Sequence, residues 1–563
     1  MRIAVLVAVV MLATVLLQAA TTPTFDFDEA LYRRIAEEMK QSHEYFVTTW
    51  DARPFYEKPP TYIWSIVLAS YIVDGPSSHI SVFASRLPSV LCSLLTVILL
   101  AWFWRRAAPD YATAFGTGPG PGRQWLTSPA LPLLAYGTGL FAIGGAASVV
   151  LDPMLTLFLL VPLLVFSAAL LRNDSKLSGT EIFVAGFAMG GAIAVKGLIG
   201  IVLPALALAL HAAISRRWSL LRAAVPPFTV AIASASIFFA ILYQFTGASF
   251  FNEFFIRQHF VRATTTMQGH RGSLFFHVAI VLLLGGPLIA FVLRSIPSRS
   301  ALAFGRWGFP LTWILTVIAF YSAMATKLPN YTWPVWPALV LTLCVLLMRA
   351  YATDARACVR RRSMAIAALA CLLPIATLFL LLGAGVDQWI HPAYSPRAAT
   401  IVAAIIPLPA SVRLGLALTG IILAAQIVSL RRFGLDVDKR SPRAWHSMAG
   451  AAVLNCLALS VMSVLVIPFA DRAVRGPLVR LSARATDEHM SGGDLITVGL
   501  FSPTVSSSYG GGPVRQVGRL TRSVGAGPGQ HLVLLPRWQV TDCKETGFAL
   551  IRTDEFLALC EKR

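Results

Sequence analysis

In a chain otherwise sparing with charge, ionisable residues collect in a few linkers between long apolar runs. Asp26, Asp28, Glu29, Glu57 and Lys58 share the first long linker, Asp152 opens a later run, and Lys196 sits at a tight hairpin. Glu253, Arg257, His259, Arg262, His270 and Arg271 share another linker, and Lys327 and Tyr331 complete the set. Carboxylates of this kind are acid–base groups. Arginine clamps phosphate oxygens bidentately, lysine offers a point charge and tyrosine a neutral donor. Carboxylate-bearing loops facing basic loops across a cavity would make a site for an anionic lipid headgroup. Each residue also has a plainer reading. Charges at a membrane boundary are tolerated by snorkelling, and Asp28 can cap a helix beginning Glu29-Ala30-Leu31. Asp152 before Pro153 has the form of an N-cap followed by proline at the first helical position, so a capping role and a role as second carboxylate both stay open. Arg262 and Arg271 can anchor anionic lipid headgroups. Convergence from five separate loops favours a site.

The elements that must position these residues are membrane helices. The 563 residues are 56% hydrophobic and 13% charged, with a mean hydropathy of +0.68, whereas a soluble globular chain is roughly a quarter charged. Apolar runs of about 16 to 23 residues match the length a helix needs to cross roughly 30 Å of hydrocarbon. With Arg2 on the cytoplasmic side, spans are expected at 3–20, 87–104, 131–150, 154–171, 182–195, 198–213, 223–245, 274–293, 308–325, 333–348, 364–382, 414–430 and 448–469. The loops this places in the cytoplasm carry Arg105, Arg106 and Arg123; Arg172 and Lys176; Arg216, Arg217 and Arg222; Arg294, Arg299 and Arg306; Arg349, Arg356 and Arg360 to Arg362; and Arg431, Arg432, Lys439, Arg440 and Arg443. That is the positive-inside pattern. It also accounts for the formal charge of +20 and argues against nucleic acid as a partner.

Ile3 to Ala20 has a cleaved signal peptide as its alternative reading, and either way the next loop is outside. Tyr62 to Val73 is too short to cross, and counting it as a span would put Arg360 to Arg362 outside. With Asp28 to Lys40 it is expected to lie along the outer interface. Ala399 to Ala410 is expected to be another such segment. From Gly476 onward the apolar runs shorten to Leu495 to Phe501, Leu532 to Leu535 and Phe548 to Ile551, which reads as a small α/β domain outside the cytoplasm. Of seven cysteines, five lie in or beside apolar runs as ordinary core residues. Cys543 and Cys560 lie in the outer domain, where an oxidising compartment permits them to pair.

Phe27-Asp28-Glu29-Ala30-Leu31-Tyr32 followed by Phe55-Tyr56-Glu57-Lys58-Pro59-Pro60 resembles the first outer loop of the bacterial 4-amino-4-deoxy-L-arabinose lipid A transferases and their relatives in the protein O-mannosyltransferase superfamily. Leu151-Asp152-Pro153-Met154, Val195-Lys196-Gly197, His259-Phe260-Val261-Arg262 with Arg271 nine residues on, and Lys327-Leu328-Pro329-Asn330-Tyr331 are similar to that family in the same order. The resemblance covers roughly residues 1–350 and thins beyond.

It implies an all-α polytopic membrane protein of the GT-C type with about 13 transmembrane helices and a small C-terminal α/β periplasmic domain. The transmembrane catalytic domain would span 1–473, with interfacial helices at about 28–74, and the periplasmic domain 474–563. The family's setting is the bacterial inner membrane, multi-pass, with a periplasmic active site. Its chemistry is inverting transfer of a sugar, 4-amino-4-deoxy-L-arabinose or a related one, from polyprenyl (undecaprenyl) phosphate to lipid A or lipopolysaccharide. Transfer to protein Ser/Thr or another envelope glycan is the alternative. A transporter fits less well, because transporters place charges at the midplane in broken, repeated helices.

On the donor side a phosphate leaving group needs cations to hold its developing charge more than it needs a general acid. The resemblance assigns Lys58, Arg262, Arg271, Tyr331 and Lys327 to the carrier phosphate, and Asp28, Glu29 and Asp152 to catalysis. An acceptor hydroxyl would need a base, whereas an acceptor phosphate, already ionised, would not. Glu57 and His259 resemble the family pair that can hold a divalent metal such as zinc. Two ligands fall short of the usual three or four, and a Glu/His pair organising Lys58 is the alternative.

Overall fold

The computed structural model describes residues 2–22, 27–116, 124–139, 143–172, 176–265, 272–286, 288–289, 291–292, 308–352, 410–438, 441, 443–468, 494–498, 514–517, 531–536, 543, 548–553 and 557–562. Among these, seven helical segments are long and apolar enough to cross a membrane: Arg2–Thr21 (α1), Val82–Ala114, Asp152–Leu171, Gly179–Lys196, Ser219–Thr264, Pro329–Ala350 and Ala444–Val466. Ile199–Ser215 and Phe309–Ala323 are shorter apolar helices. The expected span 364–382, the segment Ala399 to Ala410 and residues 474–493 lie outside the described residues.

Between α1 and Val82–Ala114 (α4) run the helices Phe27–Ser42 (α2) and Thr61–Val73 (α3), joined by a loop whose strands Thr49–Trp50 (β1) and Arg53–Pro54 (β2) pair antiparallel. α2 buries Leu31, Ile35 and Met39 with Tyr32 and Ala36, the fourfold spacing of a helix with one apolar face. Its first turn carries Asp28 and Glu29, where the helix dipole favours negative charge. α3 buries Tyr62, Ile63, Ile66, Val67 and Ser70, while Leu68 (63%) and Ile72 (75%) are exposed. An outward face that is itself apolar belongs against lipid, consistent with α3 lying at the interface. The Thr61 hydroxyl donates to the Ala194 carbonyl at 2.7 Å, tying the Glu57-Lys58-Pro59-Pro60 loop to the end of Gly179–Lys196.

One expected span is interrupted. Residues 131–150 form not a continuous helix but Ala130–Gly137 (α5), ending at Thr138, with residues 145–151 in turns and a bend. Gly137, Gly139, Gly144 and Gly145 supply the break, since glycine is among the poorest helix formers. The released backbone gives the Val149 N–H to the Glu29 carboxylate. Asp152–Leu171 (α6), Gly179–Lys196 (α7) and Ile199–Ser215 (α8) follow, then Ser219–Phe251 (α9), which continues through a π-helical stretch Asn252–Val261 into Arg262–Thr264. Phe276–Leu284 (α10), Phe309–Ala323 (α11), a 3-10 turn Pro329–Thr332, Val335–Ala352 (α12), Ala410–Asp438 (α13) and Ala444–Val461 (α14) follow among the described residues. The largest fully buried side chains include Trp104, Trp313 and Trp336.

The C-terminal region holds a five-stranded sheet in the order β4-β3-β5-β7-β6. Its strands are Asp494–Val498 (β3), Val514–Val517 (β4), His531–Pro536 (β5), Phe548–Thr553 (β6) and Leu557–Lys562 (β7). β3 runs parallel to both neighbours, and β7 antiparallel to β5 and β6. Consecutive residues Leu532, Val533 and Leu534 are all buried, as in a parallel strand covered on both faces. Cys560, in register with Val533, is disulfide-bonded to Cys543.

Candidate active site

The site forms where α2 and the loop before α3 meet the start of α6 and the C-terminal ends of α7 and α11. It is a cavity of about 260 Å³ lined by Asp28, Glu57, Lys58, Asp152, Lys196 and Arg262, with Tyr32, Trp50, Tyr321 and Tyr331 among its aromatic walls. Asp152 is the first residue of α6, whose N-cap position is taken by Leu151 without a side-chain bond. Its carboxylate does not cap. One oxygen accepts from Lys196 Nζ, the other from Asn330 Nδ2 at 2.8 Å, so three loops are pinned together through one buried aspartate.

Lys196 ends α7 at a hairpin in which Gly197 adopts φ +72°. A Cβ there would lie 2.3 Å from His259 Nε2, so both the turn and the close approach require glycine. The Lys196 ammonium also lies 4.8 Å from the centre of the Tyr331 ring, a cation–π contact.

Asp28 faces this pair from α2 and is partly buried. Burial raises its carboxyl above the usual carboxylate range; Lys58 and Arg262 pull it down, while Asp152 and Glu57 add to the rise. Lys58 has the opposite problem. Burial and the neighbouring Arg262 lower its ammonium to about 8, against the pull of Glu57; Lys196 lowers it further and Asp28 raises it.

Arg262 extends from the end of the π-helical stretch. It is 9% exposed, donates from Nη1 to Gln258 Oε1 at 2.8 Å and lies against the Tyr331 hydroxyl. Its Nε is buried without a partner in the protein, an arrangement that suits a buried anion. π-Helical insertions turn side chains out of α-helical register and recur at functional sites.

Asp28, Asp152, Lys58, Arg262, Tyr331, Glu57 and His259 therefore share one cavity. Glu29 and Lys327 do not line it. Glu29, expected beside Asp28 in catalysis, is buried in an ion pair with Arg86: Nη2 to Oε2 is 2.9 Å and Nε to Oε1 is 3.2 Å. Its Oε1 also accepts the Val149 N–H at 2.8 Å, a backbone group freed by the break after α5. Neighbours on one helix face different ways, and this carboxylate faces a cation from α4 instead of the cavity.

Lys327, expected on the carrier phosphate, points its ammonium at the carbonyls of Tyr321, Ser322 and Met324. It thus closes the C-terminal end of α11, where orphan carbonyls favour a cation. His259 donates from Nδ1 to the Phe254 carbonyl at 2.8 Å and accepts the Leu198 N–H on Nε2 at 3.2 Å. With both ring nitrogens engaged by backbone, His259 has no nitrogen free for a metal, and the Glu57/His259 pair does not fit a formed metal site. Among the described residues no three His, Cys, Asp or Glu side chains cluster as metal ligands. Asp26, His270 and Arg271 lie outside the described residues.

The structure adds residues that motif spacing did not single out. Asn330 holds Asp152, Gln258 holds Arg262, and His277 donates from Nε2 to the Leu328 carbonyl at 3.2 Å and packs its ring on Tyr331 with centroids 6.1 Å apart. Asn330 and Gln258 lie inside or beside the quoted motifs, a signal that could have found them; His277 has none.

Polytopic helices and a cavity between them and α2 and α3, bearing carboxylates and cations, define a membrane protein of the GT-C fold. The same fold occurs in the crystal structures of ArnT from Cupriavidus metallidurans. The form bound to undecaprenyl phosphate matches with a TM-score of 0.69 at 18% identity, covering 100% of this chain and 97% of that one. The apo form matches at 0.70 and 19% identity, covering 99% and 97%. Curated relatives include the undecaprenyl phosphate-alpha-4-amino-4-deoxy-L-arabinose arabinosyl transferases of Yersinia enterocolitica, 24% identical over 333 residues (58% of this chain and 55% of the relative), and Yersinia pestis, 25% identical over 346 residues (60% and 57%). The matched stretch thus spans little more than half the length of these relatives. No protein-family model matches the chain.

Proposed function

We propose that this chain is an inverting glycosyltransferase of the bacterial inner membrane that moves 4-amino-4-deoxy-L-arabinose, or a closely related sugar, from undecaprenyl phosphate to lipid A on the periplasmic face. The observation that carries this reading is the meeting in one cavity of a carboxylate, Asp28, with Lys58, Arg262 and Tyr331. Its fold matches that of a protein crystallised with undecaprenyl phosphate.

In this reading the carrier phosphate lies against Lys58, Arg262 and the Tyr331 hydroxyl, which stabilise its charge as the glycosidic bond to phosphate breaks. The acceptor oxygen attacks the anomeric carbon from the opposite face. Asp28 takes the proton of a hydroxyl acceptor, or orients a phosphate acceptor through an intervening proton. Asp152, bonded by Lys196 and Asn330, fixes the wall that the sugar meets.

The direct test is to incubate purified protein with radiolabelled undecaprenyl-phosphate aminoarabinose and lipid A. Label transferred to lipid A with inverted anomeric configuration is expected. Transfer only to a peptide Ser/Thr acceptor, or to none of the acceptors, would reject the assignment.

The pH profile is expected to have a rising and a falling limb. As the base toward a hydroxyl acceptor Asp28 must be ionised, so with such an acceptor kcat/KM rises as pH climbs through its raised value. Lys58 must be charged to hold phosphate, so kcat/KM falls as pH climbs past about 8. kcat/KM reports the free enzyme's groups. Lys58→Arg should move the falling limb to higher pH, because guanidinium stays charged; a limb left near 8 in that variant would detach it from Lys58.

A further inference from the structure

Tyr321 lies near the end of α11, is 2% exposed and lines the cavity. Its ring stacks on Tyr331 with centroids 4.6 Å apart and planes at 27°, and His277 borders it at 6.0 Å. A phenylalanine would fill the same place in this column. Yet the residue carries a hydroxyl, and that oxygen is buried without a partner in the protein. Buried hydroxyls left unpaired are rare, because each forfeits the hydrogen bonds it made to water. Because Tyr321 lines the cavity, a molecule entering the cavity is the partner that its position offers.

The neighbouring groups narrow what it is. Lys58 and Arg262 supply the cations for a phosphate, whereas Lys196 is committed to Asp152. Asp152, Tyr331, His277 and Lys327 are the titratable groups around Tyr321, with the Lys327 ammonium turned to the backbone carbonyls of Tyr321, Ser322 and Met324, and the oxygens of Asp152 already accept from Lys196 and Asn330. A phenol beside a carboxylate that already holds a lysine and an amide suits a neutral group that both donates and accepts, which is the chemistry of a sugar hydroxyl.

We infer that Tyr321 is a substrate-contacting residue whose hydroxyl hydrogen-bonds the sugar being transferred, and so takes part in choosing which sugar is transferred. This rests on the proposed glycosyl transfer. The step requires no covalent bond to Tyr321 and no proton loss from it.

The test is Tyr321→Phe, which deletes one oxygen and keeps the stack. Wild type and variant would be compared for binding of sugar-free undecaprenyl phosphate, for kcat/KM with the glycosylated donor, and for kcat/KM with donors lacking one sugar hydroxyl at a time. The variant should lose roughly tenfold or more in kcat/KM on the full donor and bind sugar-free carrier as wild type does. Wild type should discriminate against one deoxy donor by a factor that the variant loses, the signature of two groups acting as a pair. A variant as active as wild type, or one equally unable to bind the sugar-free carrier, would overturn the inference. Thermal melting of the two proteins in one detergent separates the second outcome from misfolding, and for a misfolded variant the deoxy-donor series on wild type alone decides, since equal turnover of every deoxy donor leaves no contact to assign. Absence of wild-type transfer from any undecaprenyl-phosphate sugar would instead reject the glycosyl-transfer reading, and this inference with it.

Discussion

Asp28→Asn is expected to lower single-turnover transfer roughly a hundredfold or more, the scale of acid–base catalysis, while affinity for undecaprenyl phosphate survives. The asparagine keeps the shape of the first turn of α2 but cannot accept a proton or hold a cation. Lys58→Ala should do the reverse at the binding step. Its ammonium is buried beside Arg262 and Glu57, and the following Pro59-Pro60 restricts the backbone that presents it. Removing it takes away a charge from the phosphate site, so carrier binding and leaving-group departure should weaken together. Both variants would be measured in one lipid system, by carrier binding and by single-turnover transfer. Loss of carrier binding in Asp28→Asn with retention in Lys58→Ala would exchange the two roles even if the reaction stood.

How much of this was legible in the sequence depends on whether a residue's partner is local. The membrane class and the order of the motifs follow from run lengths, arginine distribution and spacing, all of which are local. Asp28, Lys58, Asp152, Arg262 and Tyr331 were readable as a set because each sits at the mouth of an apolar run, and helices of similar length bring such mouths to one level. Glu29 was not, since its orientation is decided by Arg86, 57 residues away, and by the Val149 N–H, 120 residues away. Adjacent positions on a helix differ by about 100° in direction, so a motif containing both Asp28 and Glu29 does not say which one faces the cavity. Lys327 misled for another reason. Its spacing places it near the cavity, but carbonyls left open at the end of α11 lie closer to its ammonium. The break in 131–150 was visible as glycines, yet its use was not, because a freed backbone N–H has no signature until the carboxylate that takes it is known.

Arg86→Met is expected to destabilise the fold by about 3–5 kcal/mol, because it leaves the Glu29 carboxylate buried without its cation. The exposures of the two side chains, 2% and 3%, leave little water to compensate. Arg86 also donates to the carbonyls of Ala19 and Thr22 and to the Thr22 hydroxyl, so the guanidinium joins the end of α1 to the start of α2. Glu29 in turn holds Val149, three residues before Asp152. The ion pair therefore lies between the two loops that deliver Asp28 and Asp152 to the cavity, without touching the cavity itself. Two variants separate stability from positioning. Replacing both partners by methionine removes charge and counter-charge together, and such replacements are often close to neutral in stability. Arg86→Met/Glu29→Met should accordingly melt much nearer to wild type than Arg86→Met does, in the same detergent. If the pair positions Asp28, the double variant should still turn over at least tenfold more slowly, with carrier affinity little changed, because a misplacement of about 1 Å is enough to slow a reaction substantially. A double variant that is both stable and fully active would restrict Arg86 and Glu29 to holding α1, α2 and α4 together.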